Sequence, residues 1–253
     1  RLLYLPHDKT IIESVETSQP LTAANVKARL ARIQKHYLLR LSPRLETVAE
    51  RPAYRLDIVS RRQDRPWQRL WIDRTTGLTL RRECYRPDGA QISVSSWRNL
   101  RFYPQPTQLS LRWKPPPGTK THRSSSERVL FRLAEARKQA GSWATLPADL
   151  GKGFQFESAR LVSVKGARGL YCQYSDGLNS VSLVQTAAPR LISASSPDDK
   201  QVRSIRIGNR AAQIASRGFL TVLSWEHSSR SITLSLIGEI AESTLVSIAQ
   251  TLQ

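Results

Sequence analysis

The chain reads as an α+β protein in two parts: an antiparallel sheet with one helix, then a small α+β domain. Period-two alternation recurs between residues 54 and 97 with tight-turn signals between the runs. A Pro-, Gly- and Ser-rich break, KPPPGTKTHRSSS, follows at 114–126, and the last 23 residues pass from an alternating strand through Gly238 into an amphipathic helix. The expected division is 1–113, a linker or exposed loop at 114–126, and 127–253.

The first regular element is a helix. Thr22 is placed to cap it, and Val26, Leu30, Ile33 and Tyr37 recur at spacings of four, three and four, which lines one apolar stripe. Lys27, Arg32 and Lys35 take the other side. In the run 54–59, Tyr54, Leu56 and Ile58 share a face while Arg55 and Asp57 take the opposite one. In 67–73, Leu70 and Ile72 oppose Arg69, Trp71 and Asp73. A turn at Asp73–Gly77 leads into 78–85, and a second at Pro87-Asp88-Gly89 leads into 91–97, since Asp-Gly supplies the positive φ that a reversing chain requires. These strands make an antiparallel meander. Its apolar inner face is expected to carry Leu56, Ile58, Leu70, Ile72, Leu78, Leu80, Ile92 and Val94.

Beyond the break, 127–140 is helix-like, with Val129, Leu130, Leu133 and Ala136 or Ala140 on one side and Gly141 at its end. The stretch from Leu146 to Val164 reads as a loop entering two short strands. Gly169–Gln173 and Leu178–Val184 flank a Ser175-Asp176-Gly177 turn, and 218–226 pairs with 231–237 across a polar HSSR turn. Ser243 or Thr244 starts the last helix, whose Leu245, Ile248, Ala249 and Leu252 cover the sheet.

Net charge is +19, and it is uneven: residues 1–125 hold 24 Lys/Arg against 10 Asp/Glu, residues 126–253 hold 15 against 10. Such a surplus attracts polyanions, including nucleic acid, anionic lipid and acidic protein segments. Much of it is arginine along strands (Arg55, Arg69, Arg81, Arg82, Arg101), the pattern of a solvated outer face. Nucleic-acid recognition is disfavoured, because there is no helix-turn-helix pattern, zinc knuckle or aromatic-rich strand motif. No apolar run approaches the roughly 20 residues of a membrane span, so a soluble chain is expected.

Cys84 and Cys172 each sit in an apolar strand pattern without a CxxC partner, and two buried thiols are expected. His7, His36, His122 and His227 lack ligand spacing, so no metal or other cofactor is expected. No GxSxG, HExxH or glycine-rich phosphate loop occurs. Asp73, Asp88 and Asp176 fall at turns, where Asx-Gly geometry accounts for them, and catalysis is not expected.

Several of these segments together resemble the MucB/RseB family of periplasmic regulators of the sigma-E envelope-stress pathway. YLPHDK (Tyr4–Lys9), AERPAYRLDIV (Ala49–Val59) and LWIDRTTGLTLRRECYRPDG (Leu70–Gly89) resemble its large domain, while YSDGLNSVSLV (Tyr174–Val184) and Ser231–Gln253 resemble its small C-terminal domain. In the family, several strands and a helix precede the segment that resembles Arg1–Glu13. The resemblance implies a curved antiparallel half-barrel like the lipoprotein carriers LolA and LolB, with an apolar cavity for acyl chains lined by the eight residues named above.

It further implies a non-catalytic periplasmic protein that binds the periplasmic segment of an anti-sigma factor and shields it from proteolysis. A lipid or lipopolysaccharide ligand would release that partner, and peripheral membrane contact is compatible with this. Exposed candidates for the partner surface are Arg203, Arg206, Arg210 and Arg217, which a solvated basic edge would equally explain. The alternative is a lipid or lipoprotein carrier of the LolA type, which needs only the half-barrel.

Overall fold

The computed structural model describes residues 2–5, 9–13, 22–62, 67–86, 88–102, 115–123, 129–164, 167–187, 202–217, 220–227 and 231–252. β1 (Leu2–Leu5) and β2 (Thr10–Glu13) form an antiparallel pair. Helix α1 (Ala23–His36) follows. The Thr22 hydroxyl oxygen accepts from the Asn25 N–H at 3.2 Å, which satisfies a first-turn donor, and Lys35 and His36 place basic groups at the end that favours them. There is no loop after it. At Tyr37 the backbone swings to φ −130°, ψ 150° and runs straight into a strand.

That strand, β3 (Tyr37–Val48), opens a five-stranded meander with β4 (Arg51–Ser60), β5 (Trp67–Asp73), β6 (Thr79–Tyr85) and β7 (Gln91–Ser96), each hydrogen-bonded to its neighbour in sequence. The expected turns hold. Asp73 Oδ1 accepts from the N–H groups of Thr75 and Thr76 at 2.9 and 2.8 Å, and Gly77 takes φ +72°. β3 lies at the sheet edge and loses register between Leu41 and Leu45, around Pro43, which has no N–H for the ladder.

The segment expected as a linker supplies a strand. β8 (Lys120–Arg123) pairs parallel with β2 and makes a three-stranded sheet with β1.

The second lobe holds a seven-stranded antiparallel sheet with two covering helices. α2 (Leu133–Ala140) and a single 3-10 turn (Gly141–Trp143) precede β9 (Gln155–Val164), β10 (Ala167–Ser175) and β11 (Ser180–Thr186). β12 (Val202–Ile207), β13 (Arg210–Arg217), β14 (Leu220–Glu226), β15 (Thr233–Gly238) and α3 (Glu242–Thr251) complete it. In the sheet the order is β12-β13-β14-β15-β11-β10-β9. The main core lies here, around Leu170, Leu183, Ile214, Leu223, Trp225 and Leu236. Each such side chain contributes about 1.5–3 kcal/mol on burial. Leu245, Ile248, Ala249 and Leu252 of the terminal helix region are buried as expected.

Several boundaries differ from expectation, among them β10 and β11, which run Ala167–Ser175 and Ser180–Thr186. α2 starts at Leu133, not Glu127, because Leu130 exchanges two 2.8 Å backbone hydrogen bonds with Ala159 and is drawn into extended geometry beside β9. α3 starts at Glu242, after Ala241, with no side-chain cap. β9 is one ten-residue strand, not two short ones, since pairing with β10 continues along its length.

Candidate functional site

Strand register decides which face each candidate takes. Leu56 stands opposite Leu70, and Tyr54 opposite Ile72, so Leu56, Ile58, Leu70 and Ile72 share one face of the meander. Ile58 is buried and the other three half-buried. Leu41, opposite Leu56, extends this face toward solvent and is 61% exposed.

Leu80 and Val94 do not join them. Pairing slips between Trp71 and Ile72, and the extra residue turns Leu80 into a small cluster with Ala53 and Trp71. Val94 stands opposite Glu83, which stands opposite Arg69, and so lies on the other face, largely exposed. Ile92 falls at a second slip, between Cys84 and Tyr85, and Leu78 is an exposed turn residue ahead of β6.

The opposite face is not the simple solvated arginine surface expected. Arg69 Nε donates to Asp57 at 2.6 Å, Arg55 to Glu46 at 2.7 Å, and the Trp71 indole N–H to the other Glu46 oxygen at 2.6 Å. Arg69 also lies 5.7–5.9 Å from the ring centres of Trp67, Trp71 and Tyr85, and Trp67 stacks on Tyr85 at 4.1 Å. Arg81 pairs with the buried Glu83. Charge here is interleaved and consumed internally. Arg82 projects from the apolar side instead, opposite Leu70, and is exposed.

At one end of the meander, Arg51 binds Asp73, with Nη2 donating to Oδ1 at 3.2 Å. That hydrogen bond, with those from Thr75 and Thr76, holds the Asp73 carboxyl well below the usual carboxylate range.

The four arginines of the second lobe do not make one surface. Arg203 stands opposite the buried Ile214 on the helix-covered face and pairs with Glu242 of α3, whose carboxyl its hydrogen bond holds below the ordinary value. Arg210, opposite Ile207, lies on that same face and is half-buried. Arg206 lies on the reverse face, exposed, and Arg217 ends β13 with its side chain outside the described residues.

Sequence reasoning missed the joint between the lobes. The Tyr37 hydroxyl donates to Asp176 Oδ2 at 2.6 Å and accepts from Asn179 Nδ2 at 2.6 Å, and Tyr37 is 1% exposed. Asp176 Oδ1 meanwhile accepts from the N–H groups of Leu178 and Asn179, so the turn that binds the tyrosine is shaped by its own side chain. Arg29 Nε donates to the Gly177 carbonyl at 3.0 Å, Arg32 Nη1 to the Ser175 carbonyl at 3.4 Å, and Arg32 also pairs with Glu157 at 3.5 Å. Ile33 and Tyr37 of the apolar stripe thus meet the second lobe, while Val26 and Leu30 remain 51% and 44% exposed. The available signal was SDGLN itself, a polar run between two apolar strands.

Both cysteines are free thiols. Cys172 is buried, and burial pushes its thiol up to about 12. Cys84 is only half-buried, contrary to expectation, because it faces Ser93 of the exposed edge strand β7.

A helix-led antiparallel meander docked by a buried tyrosine onto a seven-stranded sheet defines a two-lobed α+β protein. Residues 2–112 match the family model of the MucB/RseB N-terminal domain. Its fold is similar to the crystal structure of MucB in complex with MucA(peri), with 18% identity and a TM-score of 0.56 over 87% of this chain and 68% of that one. It is equally similar to the complex structure of Pseudomonas aeruginosa MucA/MucB, with 19% identity and a TM-score of 0.56 over 87% of this chain and 65% of that one. The chain thus spans about two-thirds of their length. No curated protein sequence matches it. Among the described residues no helix is long and apolar enough to cross a membrane.

Proposed function

We propose that the chain is a non-catalytic regulator of the bacterial envelope that binds the periplasmic segment of an anti-sigma factor and releases it when a lipid or lipopolysaccharide ligand arrives. The match of residues 2–112 to the MucB/RseB N-terminal domain carries this reading. The likeness in fold to MucB bound to MucA(peri) supports it.

Two features of the molecule suit such a mechanism. Leu56, Leu70 and Ile72 form a half-buried apolar strip, continuous with exposed Leu41 and bordered by Arg82, so an acyl chain could lie against it by removing that surface from water. The Tyr37–Asp176 joint makes the orientation of the meander depend on the second lobe. A ligand that prefers one arrangement of the lobes then changes the partner's affinity by its differential affinity for the two arrangements.

Native mass spectrometry with an anti-sigma periplasmic segment, before and after adding lipopolysaccharide, tests the reading. A one-to-one complex that lipopolysaccharide dissociates supports it. Co-purified lipid in the absence of any protein complex would instead identify a carrier of the LolA type.

A further inference from the structure

We propose that the outer edge of β7 is a docking site for an extended acidic polypeptide, which would add to the five-stranded sheet as a sixth, antiparallel strand. This goes beyond the anti-sigma reading and does not depend on it.

The two edges of the meander differ. β3 is interrupted by the irregularity around Pro43, a usual protection against strand addition. β7 reads QISVSS, with no charge, no proline and no covering strand among the described residues, and five of its six residues are exposed. An edge of this composition is an open template for main-chain hydrogen bonding.

The ladder shows which groups are offered. The Trp97 N–H donates to the Leu80 carbonyl at 2.9 Å, one residue beyond the Ser96–Arg81 pair. Hydrogen-bonded pairs alternate in an antiparallel ladder, so Ser95 and Ser93 bond to β6, while the amides of Val94 and Ser96 point outward.

The surroundings specify the partner. Val94 and Trp97, each about half exposed, provide apolar purchase on and just beyond the strand. Arg82, beside Ser95, together with Arg98 just after the strand, is exposed and has no ion pair or hydrogen bond to a described residue, unlike the arginines of the interleaved face. Unpaired cations around an uncharged edge complement an acidic segment with alternating apolar residues, which gains backbone bonds from the strand and charge complementarity from its flanks.

The probe is a synthetic peptide of roughly ten residues alternating Glu and Val, titrated into the full chain, with amide hydrogen exchange followed residue by residue. Saturable binding should slow exchange at Val94 and Ser96. It should weaken about tenfold in Ser96→Pro, which removes an outward N–H without breaking the β6 ladder, and by a similar factor in the combined Arg82→Ala, Arg98→Ala variant. Far-ultraviolet circular dichroism checks that both variants fold. No saturable binding, binding unchanged in both variants, or binding that leaves the β7 amides unprotected would overturn the proposal. So would protection of Val94 and Ser96 by self-association without peptide, since that would make a second copy the occupant.

Discussion

The Tyr37 hydroxyl and the Asp176 carboxylate meet at 2.6 Å across the junction of the two lobes, where neither side chain reaches solvent. One residue belongs to a helix-to-strand transition and the other to a hairpin turn. The bond therefore fixes the direction of the meander relative to the seven-stranded sheet.

Tyr37→Phe keeps the ring and removes only the hydroxyl, which takes away the bonds to Asp176 and Asn179. Urea unfolding should show a loss of about 1–3 kcal/mol, the usual cost of leaving buried polar partners without a bond. Small-angle scattering should show a broader distribution of lobe orientations. An unchanged unfolding midpoint would mean the joint contributes nothing to stability.

Gly177→Ala should be more damaging than Gly89→Ala. Both glycines hold positive φ, +100° and +86°, but a Cβ on Gly177 would come within 2.8 Å of Ile33 Cγ1 and 3.1 Å of the Ile33 backbone nitrogen, whereas one on Gly89 meets nothing within 4 Å. Gly89→Ala should cost about 1 kcal/mol of backbone strain, and Gly177→Ala should exceed it by opening the joint. Thermal unfolding of the two variants in parallel gives the comparison.

Stability should fall in acid through Asp73. Its carboxyl is depressed in the folded chain, first by the hydrogen bond from Arg51, so its contribution is complete above the unfolded value, about 3.9, and is lost as pH falls through the lower folded value. Glu242, depressed by its bond from Arg203, acts with the same sign. The urea midpoint should therefore decline below about pH 4, and Arg51→Ala should flatten that decline.

The two thiols should label at different rates. Burial holds the Cys172 thiol near 12, so almost no thiolate exists at neutral pH, and a maleimide should reach it only on unfolding. Cys84, half-buried beside the exposed edge strand, should react in the native protein. Mass spectrometry after limited labelling should find one modification, at Cys84.

Local pattern made most strands of the meander and the last hairpin and helix legible. Trp67–Asp73 coincides with the observed strand, and Leu245, Ile248 and Ala249 are buried where their spacing placed them. Strand β3 was not legible, because YLLRLSPR neither alternates strictly nor avoids proline, and its strand state comes from pairing with β4. The inner face was half legible. Leu56, Ile58, Leu70 and Ile72 follow from period two, but Leu80 and Ile92 were lost to two register slips that no single-strand pattern encodes, and Val94 to a pairing that sets it opposite Glu83 on the other face. The joint was out of reach for a different reason: Asp176 as a turn residue is a local property, and Asp176 as the partner of Tyr37 is not.

Tyr37 precedes Asp176 by 139 positions, so during synthesis the helix and the meander emerge from the ribosome well before their counterpart exists. The receiving turn is shaped by its own side chain, through the Asp176 bonds to Leu178 and Asn179. Union of the lobes is then a late event in the birth of the molecule, since it waits for residue 176 to be made.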